Sequence, residues 1–273
     1  MRGVLATNSI SPIVNPQGIP LEHLPEIARL SVLLVQIRDH GAVRDEEVES
    51  FLRYGGLEAH QLEILNVFDT PEFEPTVADR FDVVLVGGAS EASVLEPDTY
   101  PFVPHIIALL RRCIETNRPV FASCFGFQAA VLGLGGRIVR EETDFEMGTI
   151  PMSLSPEAKD DPLFSGVSDG FLAVSCHKES TFETPGNCIA LARSPRCLHA
   201  FRVREKPFWA FQFHPELDRD CFVQRLGVFR AKYTDSDAAY EDVASQFKET
   251  PESNALLATF IRYIASLETR VDV

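Results

Sequence analysis

The sequence predicts an α/β protein built as a three-layer sandwich, with a mainly parallel central sheet and a small antiparallel extension. Two observations lead to this fold class. Short apolar runs alternate with amphipathic helical segments over the first half of the chain, which is typical of a doubly wound parallel sheet. From residue 137 to residue 213 the pattern changes to closely spaced strand-like runs separated by turn residues, which indicates an antiparallel or mixed extension.

Four segments of the first half are strand candidates: 31–37, 61–68, 81–86 and 118–122. The first of them is a continuous run of branched apolar residues, as expected for a strand that is buried on both faces. Helical spacing marks three further segments, which are 44–54, 100–116 and 126–134. The first of these helices should end at Gly55 and Gly56, because glycine readily adopts the left-handed conformation at a helix C-terminus.

Shorter strand-like runs follow at 137–140, 148–154, 171–175, 188–192, 198–203 and 208–213. Helical spacing returns at the end of the chain, with helices predicted over 219–232, 237–248 and 252–267, and Pro251 opens the last one. We therefore expect an N-terminal extension over 1–30, one α/β domain over 31–217, and a C-terminal helical extension over 218–273 that packs on the same domain.

The composition excludes several classes of function. The 273 residues carry a net charge of −15, which argues against binding to a nucleic-acid backbone or to anionic lipid. No run reaches the roughly 18 apolar residues of a transmembrane helix, and the first residues lack the pattern of a signal peptide. The six cysteines form no CxxC pair, so we expect no metal site and no disulfide framework. The expectation is a cytoplasmic protein that needs no cofactor.

The most informative segment runs from Val120 to Gln128, where a buried strand leads directly into a helix with Cys124 at the junction. This is the pattern of a nucleophile elbow with cysteine in place of serine. Such a turn pushes the side chain out of the sheet, and the helix N-terminus stabilises a thiolate there. Gly126 lets the backbone pass close to the sulfur. A lone cysteine after a strand is weak evidence when it is taken alone.

Two other motifs could complete such a site. His214 follows an apolar strand and could act as a general base, with Glu216 holding its ring. The alternative is that His-Pro-Glu merely opens a helix. Gly87 and Gly88 end another buried strand, and the backbone N–H groups of Gly88 and Phe125 could stabilise an oxyanion. The alternative here is an ordinary turn between a strand and a helix.

Taken together, these motifs resemble the class I glutamine amidotransferases, of the type found in the glutaminase part of GMP synthase. The resemblance covers about residues 31–217, and one more segment contributes to it. The family's Ser-His-x-Asp segment has its counterpart here in residues 175–179, which read Ser-Cys-His-Lys-Glu. The chain departs from the family pattern at Ala122, where glycine is usual, and at Ala89, where proline is usual.

The resemblance implies a flavodoxin-like fold with its active site at the carboxyl edge of the parallel strands. It also implies that glutamine is hydrolysed to glutamate and ammonia through a γ-glutamyl thioester. The implied roles are as follows: Cys124 as nucleophile, His214 as proton shuttle, Glu216 as its orienting partner, Gly88 and Phe125 as oxyanion donors, and Gln128, Cys176, His177 and Glu179 as substrate-binding residues. No ATP-binding motif is visible, so we expect either that a separate synthetase subunit receives the ammonia or that the protein is a free-standing hydrolase.

Alternatives remain open at this stage. The altered segment 175–179 motivates a free-standing γ-glutamyl hydrolase or peptidase that cleaves other γ-glutamyl amides. A catalytically silent binding subunit is the third hypothesis. Within the segment, Cys176 could simply fill apolar space, and His177 could act by position rather than in the chemistry.

Overall fold

The structure, a computed structural model, describes residues 25–140, 145–228 and 245–268. Its strands are β1 (Val32–Gln36), β2 (Leu62–Asn66), β3 (Val83–Val86), β4 (Val120–Ser123), β5 (Val139–Arg140), β6 (Glu146–Leu154), β7 (Phe171–His177), β8 (Glu179–Ser180), β9 (Cys188–Arg193), β10 (Leu198–Val203) and β11 (Phe208–Phe211). Its α-helices are α1 (Pro25–Ala28), α2 (Gly41–Gly55), α3 (Phe102–Glu115), α4 (Phe125–Gly133), α5 (Arg219–Val228) and α6 (Pro251–Glu268).

Within the described residues, nine strands form one sheet in the order β2-β1-β3-β4-β11-β10-β9-β6-β7. The first five strands of this order are parallel. The other four continue the sheet by antiparallel pairing. The order 2-1-3-4 is that of a flavodoxin-like sheet, so the predicted fold class is confirmed.

Apolar cores on the two faces of the sheet explain why its central strands are continuously apolar. Val32 and Leu34 of β1 pack into a core that α1, α2 and α6 cover. Leu33 and Val35, which point the other way, pack into a second core beneath α3 and α4. Successive residues of a strand face opposite sides, so only a strand covered on both faces needs an apolar residue at each position. The sheet with a layer of helices on each face is the predicted three-layer sandwich.

The predicted elements that lie within the described residues are present with shifted ends, apart from the following three cases. The run 208–213 stops at Phe211 and pairs parallel to β4, so it completes the parallel sheet instead of the extension. The run 137–140 shortens to β5, which leaves the main sheet and pairs with β8, a two-residue strand that the sequence did not predict. The helix predicted over 237–248 lies mostly outside the described residues, and residues 247–248 are not helical.

The last helix belongs to the same core as the first strands. Helix α6 contacts α1, α2 and β7, and its Leu257 and Phe260 are fully buried. Pro251 is its first residue, as predicted. None of the helices in the described ranges combines the length and the apolar character that crossing a membrane requires.

Candidate active site

Cys124 lies at the junction of β4 and α4, at the carboxyl edge of the parallel strands. Its φ of 48° and ψ of −98° are strained for a residue that is not glycine. The backbone N–H of Cys124 donates a hydrogen bond of 2.7 Å to the carbonyl of Phe211, the last residue of β11. The elbow is thereby fixed to the strand that leads to His214.

Close packing around the elbow explains Gly126. A Cβ at this position would lie 2.9 Å from Cγ1 and 3.0 Å from the carbonyl oxygen of Val86, so α4 could not approach β3 with a larger residue there. Ala122, where the family usually has glycine, is fully buried in β4 and pairs with Val86 and Ala210 of the neighbouring strands. The additional methyl group therefore packs in the core and leaves the elbow intact.

His214 and Glu216 form a buried pair. Nδ1 of His214 lies 2.6 Å from Oε1 of Glu216, which leaves Nε2 as the nitrogen available to a substrate or a nucleophile. Burial alone would lower the pKa of His214, but the Glu216 carboxylate and Cys124 outweigh it and raise that pKa to about 9. Burial alone would raise the pKa of Glu216, but His214 lowers it below its ordinary value. His214 is therefore protonated at neutral pH.

The charge pair gives a prediction for pH dependence. The pKa of His214 is raised from 6.5 to about 9, so its contribution to stability is complete below pH 6.5 and is lost as the pH rises through 9. We expect an NMR titration of labelled histidine to give a His214 midpoint near 9 and a clearly lower midpoint in E216Q. The H214Q variant assigns the signal. A wild-type midpoint at or below 6.5 would contradict the prediction.

The turn formed by Gly87 and Gly88 lies directly against this pair. A Cβ at Gly88 would lie 2.6 Å from Cε1 of His214 and 3.2 Å from Cβ of Cys124, so this backbone lies close against both side chains. Phe125 is the first residue of α4, where a backbone N–H has no acceptor within its own helix. Gly88 and Phe125 are thus next to the sulfur, where the sequence placed the oxyanion donors.

A buried ion pair supports this turn, and the sequence analysis did not identify it. Nε of Arg38 donates a hydrogen bond of 2.8 Å to Oε1 of Glu47, and the two side chains are 1% and 0% exposed. Glu47 lies beneath Gly87, and Nη1 of Arg38 donates to Oγ of Ser90 at 2.9 Å. The available signal was the position of Arg38, a charged residue directly beyond a buried strand at the same sheet edge as Cys124.

A cavity of about 320 Å³ opens beside Cys124. Its lining includes Phe125 and all four residues that the sequence predicted to bind substrate, which are Gln128, Cys176, His177 and Glu179. Their roles differ, however. Nε2 of His177 lies 3.3 Å from Oε2 of Glu146 and so faces a buried carboxylate. Nε2 of Gln128 donates a hydrogen bond of 2.9 Å to the backbone carbonyl of Glu179, so it fixes β8 in place.

Glu179 is one of three acidic residues that line the cavity, with Glu91 and Glu96, and its carboxylate has two partners. Its Oε1 accepts hydrogen bonds of 2.6 Å from Nη2 of Arg140 and 2.6 Å from Oγ of Ser93. Arg140 is the last residue of β5, and β5 pairs with β8, so this small ladder brings the two charges together. Nη2 of Arg140 also donates a hydrogen bond of 2.7 Å to Oε1 of Glu96, so the guanidinium lies between two carboxylates of the cavity.

Helix α6 holds the loop that carries His214. Nδ2 of Asn254 donates hydrogen bonds of 2.9 Å to the carbonyl of Pro215 and 2.7 Å to the carbonyl of Leu217. These two carbonyls flank Glu216. The backbone N–H of His214 donates to the carbonyl of Val174 in β7 at 2.8 Å. The His-Pro-Glu segment is therefore a fixed loop, and it does not open a helix, since α5 begins at Arg219.

A flavodoxin-like sheet with a strained cysteine elbow facing a histidine–carboxylate pair defines a cysteine-dependent hydrolase type of site. The family model described as glutamine amidotransferase class-I matches residues 48–222. The chain belongs to this family. The predicted enzyme class, a glutamine amidotransferase, is thus confirmed at the level of the family.

Individual relatives agree with this membership. The chain is 32% identical over 162 residues to a glutamine-hydrolyzing GMP synthase of Nitratiruptor sp., a match that covers 57% of this chain and 30% of that protein. It is 27% identical over 120 residues to a γ-glutamyl-L-1-hydroxyisopropylamide hydrolase of Pseudomonas sp., covering 41% of this chain and 40% of the other. The match therefore spans about a third of the length of the GMP synthase.

Solved structures agree at the level of the fold. A glutamine amidotransferase of Thermotoga maritima superposes with a TM-score of 0.66 at 17% identity, covering 86% of this chain and 98% of that one.

Proposed function

We propose that this chain hydrolyses the side-chain amide of glutamine to glutamate and ammonia. The observation that carries the proposal is the meeting of three strand ends at one point: Cys124 at its strained elbow, His214 with its Glu216 partner, and the backbone of Gly88 close to both. Family membership supports the same reaction.

The proposed reaction proceeds in two steps. The Cys124 thiolate attacks the amide carbon, and the oxyanion accepts hydrogen bonds from the N–H groups of Gly88 and Phe125. His214 then donates its proton to the nitrogen, ammonia leaves, and a γ-glutamyl thioester remains on the sulfur. In the second step neutral His214 takes a proton from water, the resulting hydroxide attacks the thioester, and glutamate and the thiolate are released. Glu216 keeps the imidazole oriented throughout.

The charges in the cavity suit the other end of the substrate. Glutamine carries an ammonium and a carboxylate on its α-carbon, and the cavity holds the carboxylate of Glu179 beside the guanidinium of Arg140. We assign ammonium recognition to Glu179 and add Arg140, which also pairs with Glu96, as the group that binds the α-carboxylate. Gln128 contributes by holding β8. A separate synthetase partner that receives the ammonia completes the proposal.

The second candidate is hydrolysis of γ-glutamyl amides other than glutamine. Two observations favour it: the relative of that activity in Pseudomonas, and the segment 176–179, which carries a longer acid than the family pattern and an exposed Lys178. The two candidates share the thioester and differ only in the amine that leaves.

A comparison of substrates tests the proposal. We would measure glutamate release by the full chain from glutamine and from γ-glutamyl alkylamides, and follow covalent labelling of Cys124 by a glutamine-like electrophile with intact-mass analysis. The labelling arm reports on the site without a partner. Release from glutamine supports the proposal, whereas turnover of alkylamides without turnover of glutamine favours the second candidate. If neither substrate reacts and Cys124 stays unlabelled, both are wrong and the chain is a silent binding subunit.

A further inference from the structure

Four buried side chains with metal-binding groups meet in the antiparallel part of the sheet. Glu146 is the first residue of β6 and pairs directly with His177, the last residue of β7. Cys197 precedes β10 and His199 lies within it, two residues on, so both side chains point to the same face. One ligand atom from each of the four lies within 4.8 Å of all the others.

The separations in this cluster are close to those of a tetrahedral metal site. Ligands at typical zinc distances lie about 3.3–3.8 Å from one another. Here Sγ of Cys197 is 3.3 Å from Nε2 of His199 and 3.4 Å from Oε2 of Glu146, and Nε2 of His177 is 3.3 Å from the same oxygen. Nε2 of His199 and Oε2 of Glu146 are closer, at 2.8 Å. Movements of these side chains by a few tenths of an ångström would bring all four ligand atoms to bonding distance from one ion.

Hydrogen bonding alone leaves this cluster incompletely satisfied. A single carboxylate oxygen, Oε2 of Glu146, faces all three other groups. Nε2 of His177 is buried and lies 3.3 Å from this oxygen, yet it has hydrogen-bond geometry to no group in the described part of the chain. A buried nitrogen without a hydrogen bond is costly, and an ion among the four groups would give it a ligand bond.

We propose that Glu146, His177, Cys197 and His199 bind one divalent ion of the zinc class. Two imidazoles, a thiolate and a carboxylate suit Zn²⁺ and do not suit Mg²⁺ or Ca²⁺, which take oxygen ligands. Four protein ligands fill a tetrahedral shell, so the site is structural. Binding releases the Cys197 thiol proton to solvent. This proposal replaces the sequence-based expectation that the chain has no metal site, which considered only spacing along the chain.

Such an ion would affect the cavity by fixing the positions of the residues at one end of it. His177 lies next to the segment that carries Glu179, and the ion would tie the end of β7 to β6 and β10. The expected result is a metal that rigidifies the substrate end of the cavity and takes no part in the attack by Cys124.

Metal binding by the full chain tests the proposal. We expect one tightly held Zn²⁺ per chain by elemental analysis, and a Co²⁺ derivative with a thiolate charge-transfer band and tetrahedral d–d bands. The C124S background removes the buried Cys124–His214 pair as a competing site. In that background C197S and H199Q should each lower Zn²⁺ affinity at least about 100-fold, measured against a chromophoric chelator. C188S, which removes another buried cysteine, should leave the affinity unchanged.

The Co²⁺ spectrum is recorded on a chain with all four proposed ligands, so it tests for thiolate coordination even if C197S fails to fold. A spectrum without the thiolate band, or equal Zn²⁺ affinity with and without the Cys197 thiol, would overturn the proposal. The absence of any Zn²⁺ binding at micromolar concentration would do the same and would leave a purely hydrogen-bonded cluster.

Discussion

Replacing Cys124 with alanine should lower kcat/KM for the hydrolysed amide by about 10⁴-fold or more, because no other group at the elbow can form the thioester. The substitution removes only the sulfur atom of a small side chain, and alanine keeps a Cβ at the strained φ of 48°. We therefore expect little change in the fold. The measurement is glutamate release, with the covalent intermediate followed by mass spectrometry after rapid acid quench.

The C188A variant is a matched control for this substitution. Cys188 is also buried, begins β9, and belongs to the apolar core away from the cavity lining. It should retain wild-type activity. If C124A kept more than a small fraction of wild-type activity, the nucleophile would have to be another residue, and the assignment of the site would be wrong.

Replacing Gly88 with alanine should have the second largest effect, about a 100-fold fall in kcat. The new methyl group would be 2.6 Å from Cε1 of His214 and 3.1 Å from Nη2 of Arg38, inside van der Waals contact with both. Relief of these contacts moves either the imidazole or the oxyanion donor away from Cys124. Initial-rate kinetics should show the loss in kcat and a smaller change in KM, since the substrate end of the cavity is elsewhere.

Gly186 provides the comparison for G88A. A Cβ at Gly186 would have no neighbour within 4 Å, so G186A should leave both kinetic constants unchanged. Circular dichroism and thermal unfolding would establish that G88A remains folded. Wild-type kcat in a folded G88A protein would mean that the turn and its neighbours accommodate the methyl group without moving the reacting groups, and it would contradict this prediction.

The parallel half of the fold can be predicted from the sequence because short stretches of neighbouring residues define its strands and helices. Strands such as β1 are apolar at every position, and helix α3 repeats its buried residues at helical spacing. The elbow is equally local, since the strand, Cys124 and Gly126 lie within a few residues of one another. The Gly-Gly turn and the His-Pro-Glu segment were identified in the same way, as strand ends that a parallel sheet collects at one edge.

The remainder depends on contacts between distant residues. Arg38 and Glu47 are partners across the β1–α2 connection, and neither is recognisable as buried from its neighbours in sequence. Strand β8 has two residues and is defined by its pairing with β5. A segment this short carries no recognisable strand pattern in the sequence. Cys197 and His199 resemble isolated residues until strand pairing brings Glu146, some 50 positions earlier, against them.

The two hydrogen bonds from Asn254 make helix α6 part of the geometry of the loop that carries His214 and Glu216. This amide lies beyond residues 48–222, the region shared with the family, yet it binds the carbonyls on both sides of Glu216. A displacement of the terminal helix along its own axis would be transmitted as a displacement of that carboxylate. We therefore expect a change that loosens α6 to displace Glu216 and, through it, the imidazole of His214.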